Sequence, residues 1–342
     1  MSTQLTGTIL RGREFEPVEG RVVIEDGHIA AVEETTTDST DIILPAFVNA
    51  HTHIGDSIAK EAGGGLSLDE LVAPPDGLKH RLLRAASDEE LTRAMARSLR
   101  FMQRGGTGAF LEFREGGVAG VQAIERALAN DDLDLRAVVF GRESIEAMEA
   151  SDGFGASGAR DSDFEAERNA TRNADKPFAI HAGERDPHDI DPAFELDPEL
   201  LVHMVHAQSD HLARLEETET PVAVCPRSNL VTGVGLPPIR QLLDHTTVAL
   251  GTDNVMLNSP SMFREMEFAC KFADVTARET LRMATVAGAD AMGLNCGLIE
   301  EDRDARLLVL DGDSDNLVGA RDPVRAVVRR AGVSDVKRVV LL

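Results

Sequence analysis

Tryptophan and tyrosine are absent from this 342-residue chain, and thirteen phenylalanines are its only aromatic residues of that class. Its core must rest on aliphatic packing, and a 42% hydrophobic content supplies enough for one large domain or two smaller ones. Lysine is scarce: Lys60, Lys79, Lys176, Lys271 and Lys337 are the full set, so arginine is the main base. Lys plus Arg total 35 against 59 Asp plus Glu, a formal net charge of -24. That balance excludes nonspecific binding to nucleic acid or to an anionic membrane surface. An acidic, lysine-poor surface on an ordinary core reads as a protein that works in high salt, where self-repulsion is screened. An acidic cytosolic protein is the plainer alternative.

Cysteine is also sparse. Cys225, Cys270 and Cys296 make no CxxC pair and no even framework, which predicts buried thiols in a reducing compartment. No apolar run approaches membrane-spanning length, and "MSTQLTGTIL" lacks the charged-then-apolar pattern of a secretory leader. The expectation is a soluble cytoplasmic protein. No GxGxxG follows a first strand, and neither "GGTGAF" nor "EAGGG" has phosphate-loop spacing, which argues against a dinucleotide fold.

What is present comes in two styles. "GRVVIEDGHIAAVE" alternates around Asp-Gly, which is hairpin chemistry, and "ARLLVLDGD" and "DVKRVVLL" are again strand-like. These predict a small β domain built from residues 1–44 and 305–342 around a central domain of 45–304. In the centre, apolar runs of strand length occur at 42–49, 107–113, 135–140, 178–181, 200–205, 221–225 and 247–251, with a weaker one at 153–157. Helical patterns lie between them. One begins on the capping box Ser87-Asp-Glu-Glu90, and another on Thr276-Ala-Arg-Glu279, running to about 292. Eight strands alternating with helices describe a (β/α)8 TIM barrel.

Chemistry on such a barrel gathers where strands end. The first strand, "LPAFVNAHTHIGDS", ends in His51 and His53, which project from one face with Thr52 on the other. Alone, the pair suits two metal ligands and two core histidines equally. "KPFAIHAGE" ends in His181 with Glu184 three residues on; "LLVHMVHAQ" carries His203 and His206; "TTVALGTDN" ends in Asp253. Nitrogen and oxygen donors of this kind suit zinc, with iron and manganese as other occupants.

The set resembles the amidohydrolase superfamily, and within it the mononuclear deaminase branch: adenosine, cytosine, guanine and S-adenosylhomocysteine deaminases with the triazine chlorohydrolases. "LPAFVNAHTH", "HAGE", "HMVHAQSDHLARLEETETPVAVCPRSN", "GTDN" and the tail "ARLLVLDGDS...ARDPVRAVVRRA" carry the likeness over nearly the whole chain. The resemblance implies that His51, His53, His181 and Asp253 hold the metal. Glu184 would shuttle protons, His203 would orient the attacking water, and Asp253 would help take the second proton. The first histidine of the His-x-x-His stretch aligns with the functional one, so His203 is preferred to His206. The binuclear branch uses a carboxylated lysine after strand four; here Lys176 falls just before strand five, which implies one metal. The implied reaction is deamination of a purine-, pyrimidine- or pterin-like heterocycle. Hydrolysis of a cyclic amide or a halide-bearing ring on the same site is the alternative, with a non-catalytic scaffold behind it. A homo-oligomer is compatible with all of these.

Four inferred strand ends are followed at once by arginine: Arg114, Arg142, Arg185 and Arg227. At a barrel mouth, guanidinium groups would offer bidentate recognition of a phosphate or carboxylate on the substrate. Pairing with nearby Glu112, Glu115, Glu143 and Asp186 is the competing role. Residues 54–80, with a triple glycine, are expected to form much of a lid. His28, His80, His188, His211 and His245 read as surface or structural, and Met256 and Met262 as packing.

Overall fold

The computed structural model describes residues 2–342. Its strands begin with β1 (Thr3–Arg11), β2 (Glu16–Glu25), β3 (His28–Glu34) and β4 (Ile42–Pro45). Then come β5 (Phe47–His53), β6 (Thr107–Arg114), β7 (Arg136–Gly141), β8 (Gly153–Gly158) and β9 (Phe178–Ala182). The central set continues with β10 (Leu200–His203), β11 (Val222–Val224), β12 (Val248–Leu250) and β13 (Asp253–Asn254). Last are β14 (Arg306–Leu310) and β15 (Val336–Leu341).

The first four and last two strands form one sheet in the order β15-β14-β4-β1-β2-β3. Asp26 and Gly27, between β2 and β3, take φ of 48° and 84°, the left-handed pair that a two-residue hairpin turn requires. β4 lies parallel to β1 and antiparallel to β14, so both ends of the chain build the sheet. Ile9, Val22, Ile24, Ile29, Ile43, Leu307 and Val309 pack into one buried cluster of this sheet.

The other strands form a parallel sheet in the order β12-β11-β10-β9-β8-β7-β6-β5-β13. β12 and β13 are two halves of one bent strand, parted at Gly251 and Thr252. β13 pairs with β5 through Asp253↔Thr52 and Asn254↔His53, so the last barrel strand closes on the first. The seam is pinned further by Thr252 N, which donates to His51 O at 3.1 Å and to Asn49 Oδ1 at 3.0 Å. Asn49 Nδ2 returns a bond to Thr252 Oγ1 at 2.7 Å. This is the expected eight-stranded barrel with its terminal β unit.

Three local readings differ from the structure. The apolar run at 42–49 is two strands, because the hydrogen-bond partners change between Ala46 and Phe47. Ala46 N donates to Arg306 O in the terminal sheet, whereas Phe47 N donates to Gly106 O in the barrel. Both strands are fully buried, so hydropathy does not mark the hand-over. The helix expected from Thr276 to about 292 is two helices, Ala277–Met283 and Val286–Ala291. Its capping box forms, but the Ala284 carbonyl accepts from Val48 N of β5 at 2.8 Å, which opens the helix there. Cys225 and Cys296 are buried free thiols, whereas Cys270 is half-buried.

The weak candidate at 153–157 is a true strand, and its glycines explain the weak signal. A Cβ on Gly155 would stand 2.7 Å from the Phe113 ring. Phe113 and Leu111 of β6 fill the barrel interior, with Ala50, Ala179, Ala223 and Ala249 as small residues in the same cluster. Among the described residues no helix is long and apolar enough to cross a membrane.

Gly251 tests the seam. A Cβ there would lie 2.8 Å from His51 Cβ, 2.9 Å from His51 N and 3.0 Å from Cys225 Sγ, all on well-packed groups. Gly251→Ala is expected to destabilise the fold by about 1–3 kcal/mol through overpacking. Calorimetry checks it, and an unchanged Tm would mean the seam can shift without cost.

Candidate metal centre and active site

Each proposed ligand reaches the centre because a strand ends beneath it. His51 and His53 close β5, His181 lies on β9, His203 ends β10 and Asp253 opens β13. His203, Met204 and Asp253 take φ of 78°, 52° and 55°. Left-handed backbone at a non-glycine residue is strained by roughly 1–3 kcal/mol, and such strain gathers where side chains must be aimed.

The imidazole tips converge. His181 Nε2 lies 3.2 Å from His51 Nε2 and 3.4 Å from His53 Nε2. Asp253 Oδ1 lies 3.4 Å from His51 Nε2 and 3.6 Å from His53 Nε2. Ligands about 2.0–2.1 Å from one ion stand about 3.3–3.4 Å apart when arranged tetrahedrally, and these four separations fall close to that spacing.

Protonation agrees. His181 Nδ1 faces Ala156 O at 2.8 Å; a carbonyl only accepts, so Nδ1 carries the proton and Nε2 a lone pair. His53 Nδ1 lies 2.7 Å from Glu115 Oε1, off the axis of an ideal hydrogen bond, and the carboxylate favours the same tautomer. Burial pushes His51 and His181 below the usual imidazole range and His53 down to about 3. Burial disfavours charge on Asp253, yet its contact with His51 holds the carboxyl well below the usual range. Ser228 Oγ donates to Asp253 Oδ2 at 2.6 Å, and Asn254 Nδ2 donates to Oδ1 at 2.9 Å. Lone pairs and an anionic oxygen aimed at one point repel one another unless a cation lies between them, so the donor set fits a divalent ion.

Glu184 stands beside this cage. Its Oε2 is 3.7 Å from His203 Nε2, and Asn229 Nδ2 reaches its Oε1 at 3.4 Å and His203 Nδ1 at 3.1 Å. Burial raises the Glu184 pKa above the ordinary carboxylate value, which suits a group that must both take and give a proton. The ligand atoms that lie within 4.8 Å of one another form three overlapping groups: His51, His181 and His203; His51, His53 and Asp253; and Glu184, His203 and Asp253.

Beside His53, His181, Glu184 and Asp253 opens a cavity that reaches solvent. Leu68, Val72, Ala73, Pro74, Lys79 and His80 line it from the segment expected to form a lid. Arg142 and Arg185 line it as well, with Arg160, which sequence reasoning passed over. Arg114 and Arg227 do not. The Arg114 guanidinium turns inward against Gly55 and stands 3.8 Å from Glu112 and 3.7 Å from Glu115. Arg227 Nε donates to Glu265 Oε2 at 2.7 Å, and its Nη2 donates to Ser259 O at 2.6 Å. Even the cavity arginines hold acids: Arg142 Nη1 donates to Glu115 at 3.1 Å, and Arg185 pairs with Asp69 of the lid. His80, read as structural, does bond Val72 O at 3.1 Å but also borders the cavity. His206 is not among the residues lining it.

Sequence reasoning also missed a buried ionic group behind His53. Lys79 Nζ lies 2.7 Å from Glu115 Oε1 and 3.4 Å from Asp56 Oδ2. Burial works against its charge, but those carboxylates outweigh it and raise the Lys79 pKa. Burial pushes Asp56 up to about 7 and Glu112 up to about 8. The one signal was scarcity: a lysine in a lysine-poor chain, within the segment after the histidine pair.

Residues 42–340 match the amidohydrolase family, and this chain belongs to it. A putative aminohydrolase of Methanothermobacter thermautotrophicus is 34% identical, over 95% of this chain and 93% of the relative. A 5-methylthioadenosine/S-adenosylhomocysteine deaminase of Haloarcula marismortui is 27% identical, over 92% and 85%. The crystal structure of atrazine chlorohydrolase from Arthrobacter aurescens TC1 complexed with zinc superposes with a TM-score of 0.82 at 19% identity. It covers 99% of this chain and 93% of that one, a likeness of fold. The chain is a hydrolase acting on C–N bonds.

The buried Arg227–Glu265 pair yields a prediction. Glu265 is fully buried and takes both the Arg227 backbone N–H, at 2.9 Å, and its guanidinium. Glu265→Ala leaves an unpaired buried guanidinium and is expected to cost about 3–5 kcal/mol in denaturant unfolding. A loss under 1 kcal/mol would show that Arg227 is free for another role.

Proposed function

We propose that this protein is a metal-dependent aminohydrolase that removes an exocyclic amine from a purine-, pyrimidine- or pterin-like ring. His51, His53, His181 and Asp253 hold one divalent ion, zinc before iron or manganese. The observation that carries the reading is the cluster: the Nε2 atoms of His51, His53 and His181 and the Asp253 carboxylate within 3.2–3.6 Å of their neighbours in the set, with Glu184 beside them. The deaminase relative and the zinc-bound structural neighbour support it. A bound divalent ion lowers the pKa of water from about 15.7 toward 7 and so supplies a nucleophile at neutral pH.

The chain's own residues move the protons. Glu184 takes one from the attacking water and gives it to the ring nitrogen next to the carbon under attack. Asp253 accepts the second from the new hydroxyl and passes it to the amine, which leaves as ammonia while the ring carbon becomes a carbonyl. His203, steadied by Asn229, fixes the water's direction of approach. Residues 45–304 supply this machinery, and 1–44 with 305–342 brace it. The acidic, lysine-poor surface fits work in high salt, in the cytoplasm, alone or as a homo-oligomer.

The test is ammonia release from a panel of aminopurines, aminopyrimidines and aminopterins, with metal restored and salt varied. His181→Ala is expected to strip the metal. Glu184→Gln is expected to keep it and lose about 10²–10⁴-fold in rate, the usual worth of general acid–base catalysis. Near-normal turnover by Glu184→Gln would remove the proton-shuttle role, and chloride or ring-opened product without ammonia would replace deamination.

Arg142 and Arg185 extend the reading to an anionic group on the substrate, a phosphate or carboxylate held at the cavity wall. Arg142→Ala is then expected to raise KM for the charged substrate on the order of 10–100-fold, one charge-assisted hydrogen bond. The neutral analogue should be nearly unaffected. Equal losses for both, or a neutral free base as best substrate, would dispose of the anionic group.

A further inference from the structure

Lys79 rises from the helix Leu78–Ala85, on the segment that covers the cavity, yet only 3% of it is exposed. Its ammonium lies 2.7 Å from Glu115 Oε1 and 3.3 Å from Asn254 Oδ1. These two partners touch different ligands of the cage. Glu115 Oε1 is 2.7 Å from His53 Nδ1, and Asn254 Nδ2 donates to Asp253 Oδ1 at 2.9 Å. The orientation of the Asn254 amide follows from Lys79 and Asp253 together. An ammonium cannot accept and a carboxylate cannot donate, so only one of the two flips satisfies both neighbours. Lysine suits the place because a compact charge on a flexible stem can reach acceptors on three separate segments, where a planar guanidinium would be committed to one.

We propose that Lys79 is a positioning residue that sets His53 and Asp253 together, the first through Glu115 and the second through Asn254. The inference rests on the metal-centre reading above. Without Lys79, Glu115 keeps Arg142 at 3.1 Å but loses its nearest cation, and the Asn254 amide loses the donor on its oxygen and is held at one end only, by Asp253. Both ligands then gain rotational freedom, and the cage loosens.

The experiment uses the full chain loaded with Co(II), read by chelator competition for affinity and by visible absorption for coordination geometry. The proteins are the wild type, His181→Ala, Lys79→Met, Asn254→Ala and the Lys79→Met/Asn254→Ala double variant. Lys79→Met is expected to keep one ion per chain, with affinity about 10–100-fold weaker, as for other outer partners of metal ligands, and an altered Co(II) spectrum. Asn254→Ala, which cuts one branch, is expected to lose about 3–10-fold, with little further loss when added to Lys79→Met. A lysine that merely neutralises buried acid would lower Tm while leaving affinity within about twofold and the spectrum unchanged, and that result overturns the inference. If Lys79→Met does not fold, Asn254→Ala decides alone: a weaker ion supports the inference, and an unchanged one overturns it. A wild type that takes no ion, or a His181→Ala that binds as the wild type does, overturns the metal centre and this inference with it. Binding abolished by His181→Ala but untouched by Lys79→Met overturns the role of Lys79 alone.

Discussion

The barrel seam is the constraint on which the rest of the molecule depends. Two histidines end the first strand, the aspartate opens the last segment, and β5 pairs with β13 across them. Closing the ring and assembling the donor set are therefore one event. The reciprocal Asn49–Thr252 bonds hold the register in which Asp253 faces Thr52 and Asn254 faces His53. Gly251 lets the bent strand pass against His51, and the left-handed turn at Asp253 aims its carboxylate inward. Strain at Asp253 is tolerable because the seam over-determines the backbone around it.

Much of this was legible because strand ends are local features. A buried apolar run followed at once by His, Glu or Asp places that side chain on the rim whatever the distant partners are, so His51, His53, His181, Glu184, His203 and Asp253 could be gathered from short stretches. Direction was not legible. Arg114 and Arg142 follow their strands in the same way, yet Arg114 folds inward into the space left by Gly55 while Arg142 reaches the cavity. Arg227 is drawn off by Glu265, on a helix well separated in sequence. Lys79 and Asn254, 175 residues apart, meet only because the barrel closes, and no periodicity announces either. The hand-over between Ala46 and Phe47 was invisible for the opposite reason: both strands are buried, so the hydropathy is continuous across it.

Behind His53 the chain buries six charged side chains together. Asp56, Glu112 and Glu115 face Lys79, Arg114 and Arg142 in a buried, closely balanced group. Removing one member of such a group strands its partner away from water, a cost of several kcal/mol, so the set is retained or lost as a unit. Three acids and three cations are withdrawn together, so the group leaves the formal net charge of the exterior unchanged.

The shared strand run from Ile42 to His53 has a consequence for how the protein is made. β4 waits for β14 before its second edge is covered, and β5 waits for β13. A ribosome adding about 5–20 residues per second takes roughly 13–50 s to travel from His51 to the start of β14. Through that interval a largely apolar segment carries open hydrogen-bonding edges, the condition under which strands pair with the wrong neighbour. The order of the elements along the gene thus gives the nascent chain a long window of vulnerability, which ends when β13 and β14 reach their partners.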